Sequence, residues 1–252
     1  MKRFALCAIV LVLQYSAAFA ADEETPEPGF NEVTFKGLEF RSIGPAFMSG
    51  RIADIAIDPG NQSTWYVGVG SGGVWKTVNR GTTWEPIFDN EESYSIGCIT
   101  IDPNNPNTVW VGTGENVSGR HVGYGSGIYR SRDGGQNWEN MGLERSEHIG
   151  MIRIDPRDSN TMFVAAQGPL WSGGGERGLF KSTDGGKTWR KILGNGLGNS
   201  EIDDQYTGVS EVHMDPRNPD VMYAALWEAW RKSWGMSSGG PGSGLFKSTE
   251  EF

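Results

Sequence analysis

Cysteine is nearly missing from this chain: Cys7 and Cys98 are the two in 252 residues. Cys7 lies in an apolar N-terminal stretch, too early in it to be a lipid-attachment site. If that stretch is removed, Cys98 stands alone, which excludes an internal disulfide and leaves packing and hydrogen bonds to hold the fold. Histidine is as scarce, and His121, His148 and His213 stand at no metal-ligand spacing with the cysteines. No metal and no cofactor is therefore expected, and Asp203-Asp204 reads as a solvated acidic loop. Basic charge is also short, with 22 Lys and Arg against 31 Asp and Glu and a net charge of −9. That balance disfavours nucleic acid or an anionic membrane as a partner, since either needs a basic face. Nor is there an apolar run of the roughly twenty residues a membrane-spanning helix requires, so no membrane insertion is expected.

The longest apolar run, from Phe4 to Leu13, follows Lys2 and Arg3 and precedes Ala18-Phe19-Ala20. A positive end, a short apolar centre and a small-residue exit make residues 1–20 a secretory signal cut after Ala20. Residues 21–35 then read as a flexible N-terminal segment, and the product as secreted or periplasmic.

What the sequence has in plenty is glycine, at 37 residues, together with Trp 10, Tyr 7 and Phe 11. Glycine is about twice its usual share. No Gly-X-Y period runs through it, which excludes collagen, and ten tryptophans need a packed place, which excludes disorder. Short strands joined by tight turns suit both excesses.

The chain repeats itself. Alternating apolar strands beginning at Ile52, Ile96, Ile149 and Val209 each run into an Asp-Pro turn, at Asp58, Asp102, Asp155 and Asp215, and then into a second strand rich in Val, Trp, Tyr or Phe. Proline fixes φ and cannot donate to a ladder, so these pairs mark turns between strands. A third strand follows each time and ends in a recurring turn. The turns are Thr77, Asn79, Gly81 and Trp84; Ser131, Asp133, Gly135 and Trp138; and Ser182, Asp184, Gly186 and Trp189. The short polar side chain accepts backbone N–H groups across the turn, glycine takes positive φ, and the indole packs between sheets while opening a fourth strand. A fourth copy breaks off at Ser248-Thr249-Glu250-Glu251-Phe252. Four antiparallel strands in about 50 residues, repeated, predict an all-β propeller rather than a sandwich. Its blades fall at about 50–90, 95–143, 149–194 and 208–252 within a domain covering 36–252, and 38–45 reads as a closing strand. A seven-bladed ring at this period needs about 350 residues. The chain therefore reads as the front part of a longer propeller, with further blades missing, in preference to a closed ring of four.

These turns resemble Asp-boxes, or bacterial neuraminidase repeats, of the kind found in sialidases, xyloglucanases, a photosystem assembly factor and sortilin-type receptor domains. With the stretches starting at Ser42 and Ser71 and with Thr113-Gly114-Glu115-Asn116, the chain is most similar to the sortilin-type N-terminal propeller of large secreted bacterial proteins named as glycosyl hydrolases. The resemblance implies a propeller whose boxes lie on the rim, away from any site. A xyloglucanase-like catalytic Asp would fall at Gly70. A sialidase-like arginine stretch would fall at Phe40-Arg41-Ser42-Ile43-Gly44-Pro45, which has two extra residues before its proline. Neither pattern is met.

Loops on the channel face are where a site is sought. Arg51, Tyr94, Glu115, Asn116, Arg120, His121, Tyr124, His148 and Trp171 are the ligand-binding candidates. Arg120 offers a grip on a carboxylate and His121 a group titrating near neutrality. Glu115 and Glu147 are the two weak catalytic candidates, a glycosidase pair needing carboxylates about 5–10 Å apart. Trp227, Trp230 and Trp234 fall at helical spacing and predict a short helix packed on a blade. The reading is a secreted binding module or scaffold for a peptide, protein or glycan. The alternative is a glycoside hydrolase, xyloglucanase- or sialidase-like, of which this is an N-terminal part.

Overall fold

The computed structural model describes residues 36–37, 50–117, 119–194 and 205–248. The expected signal, the segment 21–35, the strand 38–45 and the end of the fourth box lie outside them. The chain divides into two compact units, Met1–Gly44 and Pro45–Phe252, and every strand among the described residues belongs to the second.

The architecture is all-β, a propeller of four antiparallel sheets. Blade one holds β1 (Ile52–Ile57), β2 (Trp65–Val69), β3 (Gly73–Thr77) and β4 (Glu85–Pro86). Blade two holds β5 (Ile96–Asp102), β6 (Asn105–Thr113), β7 (Ile128–Ser131) and β8 (Glu139–Asn140). Blade three holds β9 (Ile149–Asp155), β10 (Asp158–Ala166), β11 (Gly178–Ser182) and β12 (Arg190–Leu193). In these three the strand order follows the chain order. Blade four comprises β13 (Thr207–Asp215), β14 (Asn218–Lys232), β15 (Gly235–Ser238) and β16 (Gly244–Ser248). Here both β15 and β16 pair with the long β14. The expected helix around Trp227, Trp230 and Trp234 is thus corrected to the β14–β15 hairpin.

The turns form by local chemistry. Each Asp-Pro aspartate accepts a backbone N–H two residues on, from Gly60, Asn104, Arg157 and Arg217, at 2.8–2.9 Å. In the second box, Ser131 Oγ donates to Asp133 at 2.7 Å and accepts from Gly135 N, while Asp133 also accepts from Gln136 N and Asn137 N. Ser182 and Asp184 repeat the pattern with Gly186, Lys187 and Thr188. In the first box Asn79 accepts from Thr77 Oγ1 and Thr83 N, both at 2.9 Å, so the amide keeps the geometry without the charge. Gly134 and Gly185 take left-handed φ of 71°, a place that Arg80 fills at 58° in the first box.

The core lies between blades. One strand register places Ile99, Val111 and Tyr129 against blade one. The same register sets Ile152, Val164 and Phe180 against blade two, and Val212, Ala224 and Phe246 against blade three. Alternate residues face forward, and there an aromatic on the second strand pairs with a base on the third. The pairs are Tyr66 with Lys76, Trp110 with Arg130, Phe163 with Lys181 and Tyr223 with Lys247, each cation 5.3–5.5 Å from the ring centre. The base then reaches the next box: Lys76 Nζ donates to Gly134 O at 2.7 Å and Arg130 Nη1 to Gly185 O at 2.8 Å. The box indole answers backwards, with Trp138 Nε1 on Ile87 O and Trp189 Nε1 on Met141 O. Polar bonds thereby fix the angle between blades whose apolar contact alone has no direction.

Candidate functional site

The inner strands β1, β5, β9 and β13 lie side by side in that order. Around them opens a cavity of about 480 Å³ whose wall includes Arg51, Asp54, Glu115, Asn116, Arg153 and Glu211. On its wall stands Arg51, which precedes β1. The guanidinium donates through Nη2 to Glu115 at 2.7 Å, is paired to the same carboxylate through Nε, and lies 2.7 Å through Nη1 from His121 Nε2. Glu115 is 3% exposed, while Arg51 keeps 41% of its side chain in solvent. A planar fork holding one carboxylate with two nitrogens is a directed pairing, stronger than a neutral hydrogen bond.

The loop after β6 is shaped to deliver that carboxylate. Gly114 N donates to Ser95 O, Glu115 N to Ser95 Oγ, and Ser95 Oγ to Gly123 O. Gly70 leaves the room: a Cβ there would lie 2.1 Å from Glu115 Oε1. The position at which a xyloglucanase-like acid was sought is therefore covered by a carboxylate from the neighbouring blade. Asn116 Nδ2 ties the same loop to Ser210 O of blade four at 3.1 Å, with its Oδ1 buried and unpartnered in the structure.

Of the other candidates, Tyr94 and Tyr124 are exposed, and Tyr124 sits 6.2 Å from the His148 ring. Arg120 is exposed. Trp171 lies in the β10–β11 loop, its carbonyl accepting from Lys232 Nζ. Glu147, with left-handed φ of 60°, is not among the residues lining the cavity. Burial raises its carboxyl pKa, and Arg177 draws it back down. The Glu147 carbonyl accepts from Gly125 N at 2.8 Å, in the loop that carries Glu115, while its side chain does not line the Arg51 cavity. Asp54, Arg153 and Glu211 were missed; a charge inside an otherwise apolar inner strand was the signal, because the channel is where such a strand meets water. Among the described residues no group of three or more His, Cys, Asp or Glu is placed to hold a metal ion, and no helix is long and apolar enough to cross a membrane.

His148 is 1% exposed, and burial pushes its pKa down to about 4. Free histidine titrates near 6.5. Between those values the unfolded chain takes up a proton that the folded chain refuses, so stability falls as pH drops from 6.5 to 4, by up to about 3 kcal/mol. Melting midpoints across that window are expected to slope less in His148→Phe than in the parent. Equal slopes would assign the loss to another group.

Comparison with known families matches residues 129–140 and 180–191 to the BNR/Asp-box repeat. Comparison with curated protein sequences returns no match. Among solved structures, a GH74 enzyme of Niastella koreensis is similar at 24% identity and a TM-score of 0.56, covering 78% of this chain and 27% of that one. An ancestral GH74 enzyme is similar at 22% identity and 0.54, covering 71% and 22%. The GH74 xyloglucanase of Xanthomonas campestris is similar at 20% and 0.54, covering 78% and 28%. The chain spans about a quarter of the length of these enzymes. At such identities the likeness is one of fold.

Proposed function

We propose that this chain is an exported propeller module that binds a peptide or glycan at its channel face, centred on Arg51, Glu115 and His121. The observation that carries this reading is that Arg51 and the nearly buried Glu115 both line an open cavity, with the guanidinium shared between that carboxylate and the adjoining His121 imidazole. The cavity's volume falls within the range of small-ligand sites. Two arginines and three carboxylates around it favour a ligand rich in amides or hydroxyls over one of a single charge. The polar contacts are pre-formed, so ordering costs on binding are low.

Titration calorimetry with panels of short peptides and oligosaccharides tests this. Arg51→Lys and Glu115→Gln are each expected to weaken the bound member at least tenfold. Loss of the fork to a carboxylate only 3% exposed also lowers the melting midpoint, so affinity is compared at a temperature where circular dichroism shows each variant folded. Affinity unchanged in both variants would reject the site.

A hydrolytic reading finds less support. Glu115 is engaged by Arg51, and Glu147 lies off the cavity wall. Polysaccharide turnover abolished by Glu115→Gln would nonetheless replace binding with catalysis.

A further inference from the structure

The β14–β15 hairpin carries Met236 on its second strand. Ala229, Trp230, Arg231 and Lys232 pair there with Ser238, Ser237, Met236 and Gly235. Arg231 N donates to Leu170 O at 3.0 Å and Lys232 Nζ to Trp171 O at 3.2 Å, so the hairpin is stitched to the β10–β11 loop. Arg231 stands directly across from Met236, and its Nη2 donates to the methionine sulfur at 3.3 Å.

The two side chains differ in their access to solvent. Arg231 is 7% exposed, whereas Met236 is 50% exposed. No other methionine among the described residues is so open. Met162 and Met222 are fully buried, Met141 is nearly so, and Met151 and Met214 are partly buried against the cluster between blades three and four. A thioether sulfur is a weak acceptor, so a guanidinium hydrogen aimed at one gains little. A sulfoxide in the same place presents an oxygen instead. A charged donor on oxygen makes a bond roughly twice as strong as a neutral pair does.

We infer that Met236 is a reversible oxidation site whose sulfoxide is received by Arg231. The oxidant is hydrogen peroxide. The sulfur lone pair attacks one peroxide oxygen, an S–O bond forms and the O–O bond breaks. The proton of the transferred oxygen passes to the departing hydroxide, which leaves as water. Sulfur is oxidised by two electrons and the peroxide is reduced. A methionine sulfoxide reductase supplied with a dithiol reverses the step, returning the thioether, a disulfide and water. Oxidation of a core methionine places a polar group among apolar ones and loosens them. At Met236 the new oxygen instead meets a buried cation, so oxidation tightens the hairpin and, through Leu170 and Trp171, the β10–β11 loop.

Brief exposure of the folded full chain to hydrogen peroxide, followed by peptide mass mapping, tests the inference. Met236 is expected to gain one oxygen about tenfold faster than Met162 or Met222, and to lose it on treatment with the reductase. Amide exchange at 229–238 and at 170–171 is expected to slow about threefold in the oxidised chain. Met236→Leu should show no slowing after peroxide. Met236→Gln, whose amide oxygen reaches Arg231 without any oxidant, should exchange slowly from the start. Both substitutions fall at an exposed position, and circular dichroism checks that each variant is folded. Oxidation of Met236 no faster than that of Met162 would overturn the inference. So would hairpin exchange that stays the same or quickens on oxidation, or equal exchange in Met236→Gln and Met236→Leu.

Discussion

Replacing Gly97 by alanine is expected to cost about 3 kcal/mol or more, and in a propeller of this size to bring the chain to the edge of unfolding. A Cβ at this position would lie 2.1 Å from Ile149 O and 2.5 Å from Gly114 O. Both are backbone atoms, so no rotamer change relieves the clash. The first belongs to β9 of the next blade, and moving it pulls Ile149 out of the apolar cluster between blades two and three. The backbone conformation of Gly97 is ordinary, which makes this a test of space alone. Gly150 occupies the same place in blade three, with Ser210 O 2.2 Å from its missing Cβ. Close approach of inner strands is thus a repeated requirement near the channel. Gly60→Ala is the control, because its Cβ would meet nothing nearer than Asp58 Oδ1 at 3.4 Å. Urea denaturation should separate the two, with Gly60→Ala within about 0.5 kcal/mol of the parent. A loss below about 1 kcal/mol in Gly97→Ala would mean that the blades slide apart easily, and that the inter-blade register is softer than its bonds suggest.

The repeat was legible because its chemistry is local. Asp133 and Asp184 find their N–H partners within four residues, so the turn is written in one short window and recurs. The strands could be read for the same reason: alternation of side chains along β5 or β9 needs no knowledge of the partner. The segment around Trp230 was misread because helical spacing is also local, while the forces that decided it were not. Pairing with β13 up to Glu228 and with β15 from Ala229 satisfies the backbone of β14 along its length. Trp234, 84% exposed, gains nothing from an apolar stripe. The site lies at the far end of this scale. Arg51 and Glu115 were each marked as loop residues, but 64 positions separate them and the pairing exists only once blades one and two are set side by side. Glu147, chosen as the partner of Glu115, instead feels Arg177, which sequence reasoning passed over.

Arg177→Met is expected to be as damaging as any change in the apolar core, lowering stability by about 3 kcal/mol or more. The side chain is 2% exposed and works as a hub for main-chain carbonyls. Nε donates to Gly174 O at 2.8 Å, Nη1 to Gln167 O at 2.7 Å and Tyr206 O at 3.1 Å, and Nη2 to Ser172 O at 2.8 Å and also to Pro169 O. Four of these acceptors belong to the β10–β11 loop, and Tyr206 leads into β13, so one guanidinium both folds the loop and fastens blade three to blade four. Methionine keeps the volume of the stem but donates nothing, leaving several carbonyls without their guanidinium partner, each at a cost of roughly 1–3 kcal/mol if it stays dry. Lysine keeps the charge and three donors on a single atom, too compact to reach acceptors on opposite sides, so Arg177→Lys should fall between parent and Arg177→Met. The loss should be local first: amide exchange is expected to quicken at 167–177 and at Thr207 while the first blade keeps its protection. A drop of less than 1 kcal/mol for Arg177→Met, or uniform loss of protection across all four blades, would show that the loop closes on its own and that the hub is incidental.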